Sequence, residues 1–358
     1  MKQNQGKSEC LGYFNLARGL GMILIIAGHT YNLFCASAQD SRLFSGAGSV
    51  LGGGIIAMFF MISGFGFYKR SPRKCFQIQK KLLLWPYALT GAAVLVTKLL
   101  LAIIKRRSFF LHGGELVLTY LLGLNAEGGG MLGRIPIESV SILWFLLALF
   151  GGWILYNRIM QLVSGTLRMI LIGGCVILGY CMTLLSKVWP FCLPMGLQAV
   201  GYLAAGDQIR KRNLLEKKLP YPLLVLLIAV SGVSAAFGGV NMVAGIWKLG
   251  LFDVAGSFCT GFLLLHLYAA VKNKIRGGKI TGMIEEIGFC SIWVVCLHAY
   301  EKIIFPWYRL GNIFPDWSWL CAAISLIGRS AVMYFLYRVL NRIRKKWKKK
   351  HRKVKLIK

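Results

Sequence analysis

The sequence predicts an all-α, polytopic transmembrane helical bundle of about ten spans, with the N-terminus and C-terminus both cytoplasmic. Three observations carry that expectation. The chain of 358 residues is 56% hydrophobic, and its mean hydropathy of +0.61 is too apolar for a soluble protein of this size. The apolar residues fall in long runs, near 12–35, 46–68, 82–104, 140–157, 168–186, 190–207, 220–238, 248–271, 287–304 and 318–340. A helix needs roughly 20 such residues to cross a hydrocarbon core about 30 Å thick. The basic residues are gathered between the runs. Lipid offers no partner to open backbone groups, so the runs are read as helices. Residues 1–341 then form one transmembrane domain and 342–358 a basic cytoplasmic tail, with no room for a soluble catalytic domain.

The net charge of +31 invites a nucleic-acid reading, but its distribution argues against one. The clusters are "YKRSPRK" (68–74) with Lys80 and Lys81, "RKRNLLEKK" (210–218), "KNKIRGGK" (272–279) and the tail "RIRKKWKKKHRKVKLIK" (342–358). With ten spans and a cytoplasmic start, all four lie inside, as the positive-inside rule expects. The linker "KRRSFFLHGGE" (105–115) departs from the pattern, and a half-helix at 115–125 re-entering the bilayer would account for it. The tail is expected to meet anionic lipid headgroups.

Ten cysteines show no CxxC spacing and most lie within the spans, which makes them packing residues. Ala36-Ser37-Ala38 resembles a signal-peptidase site, but the preceding stretch is long for a signal sequence and carries a charge. It is expected to stay uncut. "GAGSVLGGG" (46–54) follows no strand, so it is not read as a dinucleotide loop. Gly48 and Gly52 are spaced for close helix packing.

Ionisable groups inside spans are costly and usually face an interior or a water-filled cavity. Arg18 and His29 are eleven positions apart in the first span, roughly 16 Å along a helix axis and close to one face. Either residue alone has a bland reading, a snorkelling arginine or a satisfied core histidine. The second span ends "MFFMISGFGFYKR" (58–70), so Ser63 falls at the cytoplasmic end beside Lys69, Arg70, Arg73 and Lys74. In the ninth span, His298 lies at a depth similar to His29, with Glu301 one turn on at i+3. Asp253 is a further acidic candidate beside them, and His266 is read as a structural, hydrogen-bonded histidine. The pattern places cations at the inner end and His, His and Glu in the outer half. A long anionic donor such as coenzyme A would fit it, phosphates inward and thioester outward. A neutral imidazole near His29 could take the proton of an acceptor hydroxyl, with Glu301 or Asp253 orienting it.

These residues resemble the integral-membrane acyltransferase family 3. Arg18 and His29 match its first-helix Arg-x10-His signature. "FFMISGF" (59–65) is similar to its second-helix motif, and the basic stretch with "LWPY" (84–87) follows. "LWFLLALF" (143–150) resembles its Trp-Phe/Tyr-Leu helix, and "CLHAYEKIIFPW" (296–307) the late helix of its fucose O-acetylase-like branch. The resemblance implies acyl transfer, most often acetyl, from cytoplasmic acyl-CoA to an envelope glycan or lipid-linked sugar, with no metal. It implies a catalytic role for His29, and donor binding by Arg18 with Arg70 and Arg73. Larger members carry an extracytoplasmic hydrolase-like domain; this chain would act alone or pass the acyl group to a separate partner. The alternative is a secondary transporter or flippase for an anionic or sugar substrate, although no convincing pair of inverted broken helices is seen. A scaffold whose polar groups only join helices is the third reading.

Overall fold

The structure, a computed structural model, describes residues 12–35, 42–104, 109–125, 130–132, 135–162, 165–275 and 277–356. Ala36-Ser37-Ala38 and residues 105–108 of the basic linker lie outside the described residues, as do the side chains of His112 and His351. Every apolar run forms helix. In order these are α1 (Asn15–Phe34), α2 (Arg42–Phe65), α3 (Pro72–Gln79) and α4 (Trp85–Ile104), then α5 (Phe109–Leu122), α6 (Trp144–Leu162), α7 (Gly165–Leu185) and α8 (Leu193–Lys211). There follow α9 (Tyr221–Phe237), α10 (Leu251–Ile275), α11 (Lys279–Phe289), α12 (Ser291–Ile304), the short α13 (Arg309–Ile313) and α14 (Ser318–Leu356). Five stretches are singly long and apolar enough to cross a membrane, and the bent pair α11–α12 makes a sixth. The protein is a multi-pass helical membrane protein.

Two antiparallel hairpins interrupt the helices: β1 (Gly130–Leu132) with β2 (Ile135–Ile137), and β3 (Val240–Asn241) with β4 (Ile246–Trp247). Asp253 closes the second. Its fully buried carboxylate accepts from Ser234 Oγ (2.6 Å), Gly239 N–H (3.1 Å) and Leu249 N–H (2.9 Å). Those bonds engage both oxygens, so Asp253 ties the hairpin to the first turn of α10 and does not join His298.

The bundle centres on α2, which packs against α8 and α10 at backbone distance. A Cβ on Gly64 would stand 2.1 Å from Leu203 O, and one on Gly206 only 1.9 Å from Met61 O. Facing glycines of this kind let two helix backbones touch where lipid gives no hydrophobic drive. The glycines expected to do so, Gly48 and Gly52, meet nothing within 4 Å. Gly54 does it instead, against Thr260 and Gly261 of α10, while Gly53 makes room for the Val240 side chain of β3. Successive helical residues point about 100° apart, so a shift of one or two positions changes the neighbour altogether.

Two irregularities shape the functional region. A π turn, Lys80–Leu84, joins α3 to α4, with the N–H of Trp85 reaching back to Lys80 O. Pro86 follows at once; it has no N–H and crowds the carbonyl four residues earlier, so the ladder shifts register there. The ninth run, expected as one straight span from 287, is two helices bent by 82° at Cys290. The first of them, α11, crosses α1 so closely that a Cβ on Gly288 would lie 1.7 Å from Asn15 O, and one on Gly19 2.0 Å from Ile284 O. The last helix, α14, runs unbroken from Ser318 into the basic tail.

Candidate active site

The site forms where α1, α12 and α14 meet, with α4 behind. α1 buries Leu16, Gly19, Met22, Ile26 and Thr30 along one seam, at the three- and four-residue spacing that keeps one helix face inward. His29 flanks this seam, half-buried. Restarting at Ser291, α12 presents His298 and Glu301 one turn apart, both fully buried. Its rear is held by Tyr300 hydroxyl to Thr97 hydroxyl at 3.1 Å, and by Cys296 Sγ to Pro86 O at 3.8 Å. The "LWPY" segment and its helix are therefore the wall against which α12 is set.

The imidazoles of His29 and His298 face each other with ring centroids 5.4 Å apart and planes tilted by 46°. Two histidines 269 positions apart, on different helices, share one place. His298 Nδ1 lies 2.9 Å from Glu301 Oε1. A carboxylate so placed accepts the Nδ1–H and leaves Nε2 as an acceptor; His298 Nε2 is buried with no partner among the described residues. Glu301 is fixed from its other side, where the Trp307 indole N–H donates to Oε2 at 2.5 Å. Arg329 of α14, 2% exposed, brings its Nε to 3.9 Å from Glu301 Oε1. That is an ion pair without a hydrogen bond.

The inner-end residues are assembled differently. Arg18 is half-buried, with the Tyr268 phenol of α10 within electrostatic reach. Lys272, one turn beyond Tyr268, places its ammonium 3.5 Å from the centre of the Tyr13 ring, and Tyr268 donates to Tyr13 O. Arg18 thus lies at the same end as the 272–279 basic cluster. The Ser63 hydroxyl accepts from Trp153 Nε1 at 2.7 Å. Arg70 sits over the same indole, 6.0 Å from its centre. The Arg70 backbone is clamped by Asn157, whose side chain accepts its N–H (3.1 Å) and donates to its carbonyl (2.9 Å). Arg73 is exposed and, with Arg158 and Asn157, lines a cavity of about 280 Å³. A fully buried carboxylate, Asp207, anchors this end, accepting from Tyr156 (2.9 Å), Arg210 (2.8 Å) and Lys211 (2.6 Å). Arg210 also donates to Phe67 O at 2.8 Å, fixing the loop that carries Arg70.

Trp307, Asp207 and Arg329 were not singled out by sequence reasoning. A signal existed for two of them: each is a charge within or at the end of an apolar run, the same criterion that picked out Arg18. His266, expected to be hydrogen-bonded, has its Nδ1 buried without a partner among the described residues and its ring 6.1 Å from Phe262. No group of three metal-ligating side chains occurs among the described residues.

The site sets two imidazoles and a carboxylate between the helices of a multi-pass bundle, an arrangement able to take a proton from a hydroxyl. The family comparison agrees: the acyltransferase domain family matches residues 11–338. The chain belongs to acyltransferase family 3. The match reaches the family and not a branch within it. No curated protein and no solved structure matches the chain.

Proposed function

We propose that this acyltransferase moves an acetyl group from cytoplasmic acyl-CoA to a hydroxyl of a cell-envelope carbohydrate, a glycan or a lipid-linked sugar. The observation that carries this reading is the half-buried His29 imidazole set against the buried His298–Glu301 pair. His29 takes the acceptor's hydroxyl proton as that oxygen attacks the thioester carbonyl. The new C–O bond forms, the C–S bond breaks, and the proton held by His29 goes to the departing thiolate. Glu301 and His298 do not touch the substrate; they hold the imidazoles in one orientation and tautomer. Arg18, Ser63, Arg70 and Arg73 receive the phosphate-rich end of the donor, with the chain crossing ten times and both termini cytoplasmic. That placement is supported by Lys272 lying over Tyr13, just before the helix that carries Arg18, and by Ser63 and Arg70 sharing the Trp153 indole.

The test uses membranes holding matched amounts of wild type or His29→Ala, acetyl-labelled acetyl-CoA and isolated envelope glycans. The expected result is label in the glycan with wild type and at least a 100-fold lower rate in the variant, the order of magnitude general-base catalysis contributes. Equal labelling by both proteins removes His29 from the chemistry.

A further inference from the structure

A site built around a base needs a second device, a donor for the negative oxygen that forms when the carbonyl is attacked. We propose that Arg329 is that donor: its Nε and Nη1 receive the oxyanion of the tetrahedral intermediate formed beside His29. This rests on the acyl-transfer reading above and adds a residue to it.

A guanidinium carries five N–H donors in a fixed fork, and burying it is costly unless those donors are met. Arg329 is 2% exposed, yet neither its Nε nor its Nη1 has a hydrogen-bond partner among the described residues. Among the described residues its one ion pair, with Glu301 Oε1 at 3.9 Å, lies beyond hydrogen-bond distance. Glu301 offsets the charge of Arg329 without occupying its donors. Both carboxylate oxygens are already engaged, Oε1 by His298 and Oε2 by Trp307. Trp307 also covers the guanidinium, its ring centre 5.7 Å away. The fork is thus locked between a counter-ion and an indole, with the three N–H groups of two nitrogens left over.

Position gives those donors a use. Arg329 shares Glu301 with His298, whose ring centre is 5.4 Å from that of His29, and α14 is packed directly on α1 and α12, the helices that carry the two imidazoles. The reaction creates one anionic oxygen, at the carbonyl that the acceptor attacks. A pre-oriented charged fork in a low-dielectric setting stabilises such a charge most where it needs no reorganisation. The acceptor proton stays with His29 during this step, and Arg329 neither gains nor loses one.

The experiment compares wild type, Arg329→Met and Arg329→Lys as full-length proteins in proteoliposomes, with amounts and melting temperatures matched. Two reactions are followed with acetyl-CoA: transfer to the glycan, and thioester hydrolysis by water without glycan. Both pass through the tetrahedral intermediate, and only the first needs the acceptor site. Arg329→Met is expected to lower kcat of both by about 100- to 1000-fold, with KM for donor and glycan little changed. Arg329→Lys keeps the charge and recovers part of the loss. A raised glycan KM with hydrolysis intact would make Arg329 an acceptor-binding residue and overturn the proposal. So would a Glu301→Gln, Arg329→Met double variant no slower than Glu301→Gln, since Arg329 would then act only through Glu301. Acetyl-CoA left unconsumed by wild type would overturn both this proposal and the acyl-transfer reading, whereas full activity in Arg329→Met would sink this one alone.

Discussion

Replacing Glu301 by Gln is the sharpest perturbation of the site, because it removes one charge and almost no volume. In the wild-type structure each oxygen has its own donor, His298 Nδ1 at 2.9 Å and Trp307 Nε1 at 2.5 Å. A glutamine has a single carbonyl oxygen to offer. If that oxygen keeps Trp307, its NH2 group faces His298 Nδ1, and the imidazole must move its proton to Nε2 to accept. The unpartnered acceptor nitrogen of His298 is then lost. Hydrogen bonds to charged groups contribute roughly 1.5–3 kcal/mol. If one such bond exists only when the imidazole pair carries the acceptor's proton, each 1.36 kcal/mol is a factor of ten in rate. The expected fall in kcat is therefore about 10- to 160-fold. The assay is His29-dependent transfer of labelled acetyl to the glycan, with melting temperature in detergent measured alongside. An unchanged kcat refutes the reasoning. So does a lower melting temperature with kcat intact, since Glu301 would then only hold helices together.

Two packing predictions follow from the same coordinates. Gly64→Ala sets a methyl 2.1 Å from Leu203 O, at a backbone that cannot step aside, so the variant is expected to lose most of its folded yield by detergent size-exclusion. Gly52→Ala meets nothing within 4 Å and is expected to keep its yield, with helix propensity favouring it by up to about 1 kcal/mol. Asp207→Asn leaves Arg210 and Lys211 without their buried counter-charge. Breaking a buried pair costs about 3–5 kcal/mol, and the partial exposure of both cations puts this case at or below the lower figure. A melting temperature equal to wild type would show that the cluster does not anchor the α2–α3 loop.

The fold class is legible in the sequence because membrane insertion is decided residue by residue. Long apolar runs and basic loops between them need no knowledge of tertiary contacts, and every run expected to be helix is helix. Within one helix the same local arithmetic works: His298 and Glu301, three positions apart, do form the 2.9 Å contact that their spacing allows. It fails where a neighbour decides. Asp253 shares the acidic character of Glu301, but a hairpin closes around it. Gly48 and Gly52 have the right spacing and the wrong face.

The sequence by itself determined that the chain is a helical membrane protein, that Arg18 and His29 lie toward opposite ends of one helix, and that His298 and Glu301 share a face. These follow from hydropathy and from helix periodicity, both of which act over a few residues. Only the tertiary structure decided that His298 meets His29, that Trp307 and Arg329 close around Glu301, and that the ninth run breaks at Cys290. Those contacts join segments up to 269 positions apart. They depend on which helix faces can approach, and that is set by small residues such as Gly19 and Gly288 acting in pairs no local pattern reveals.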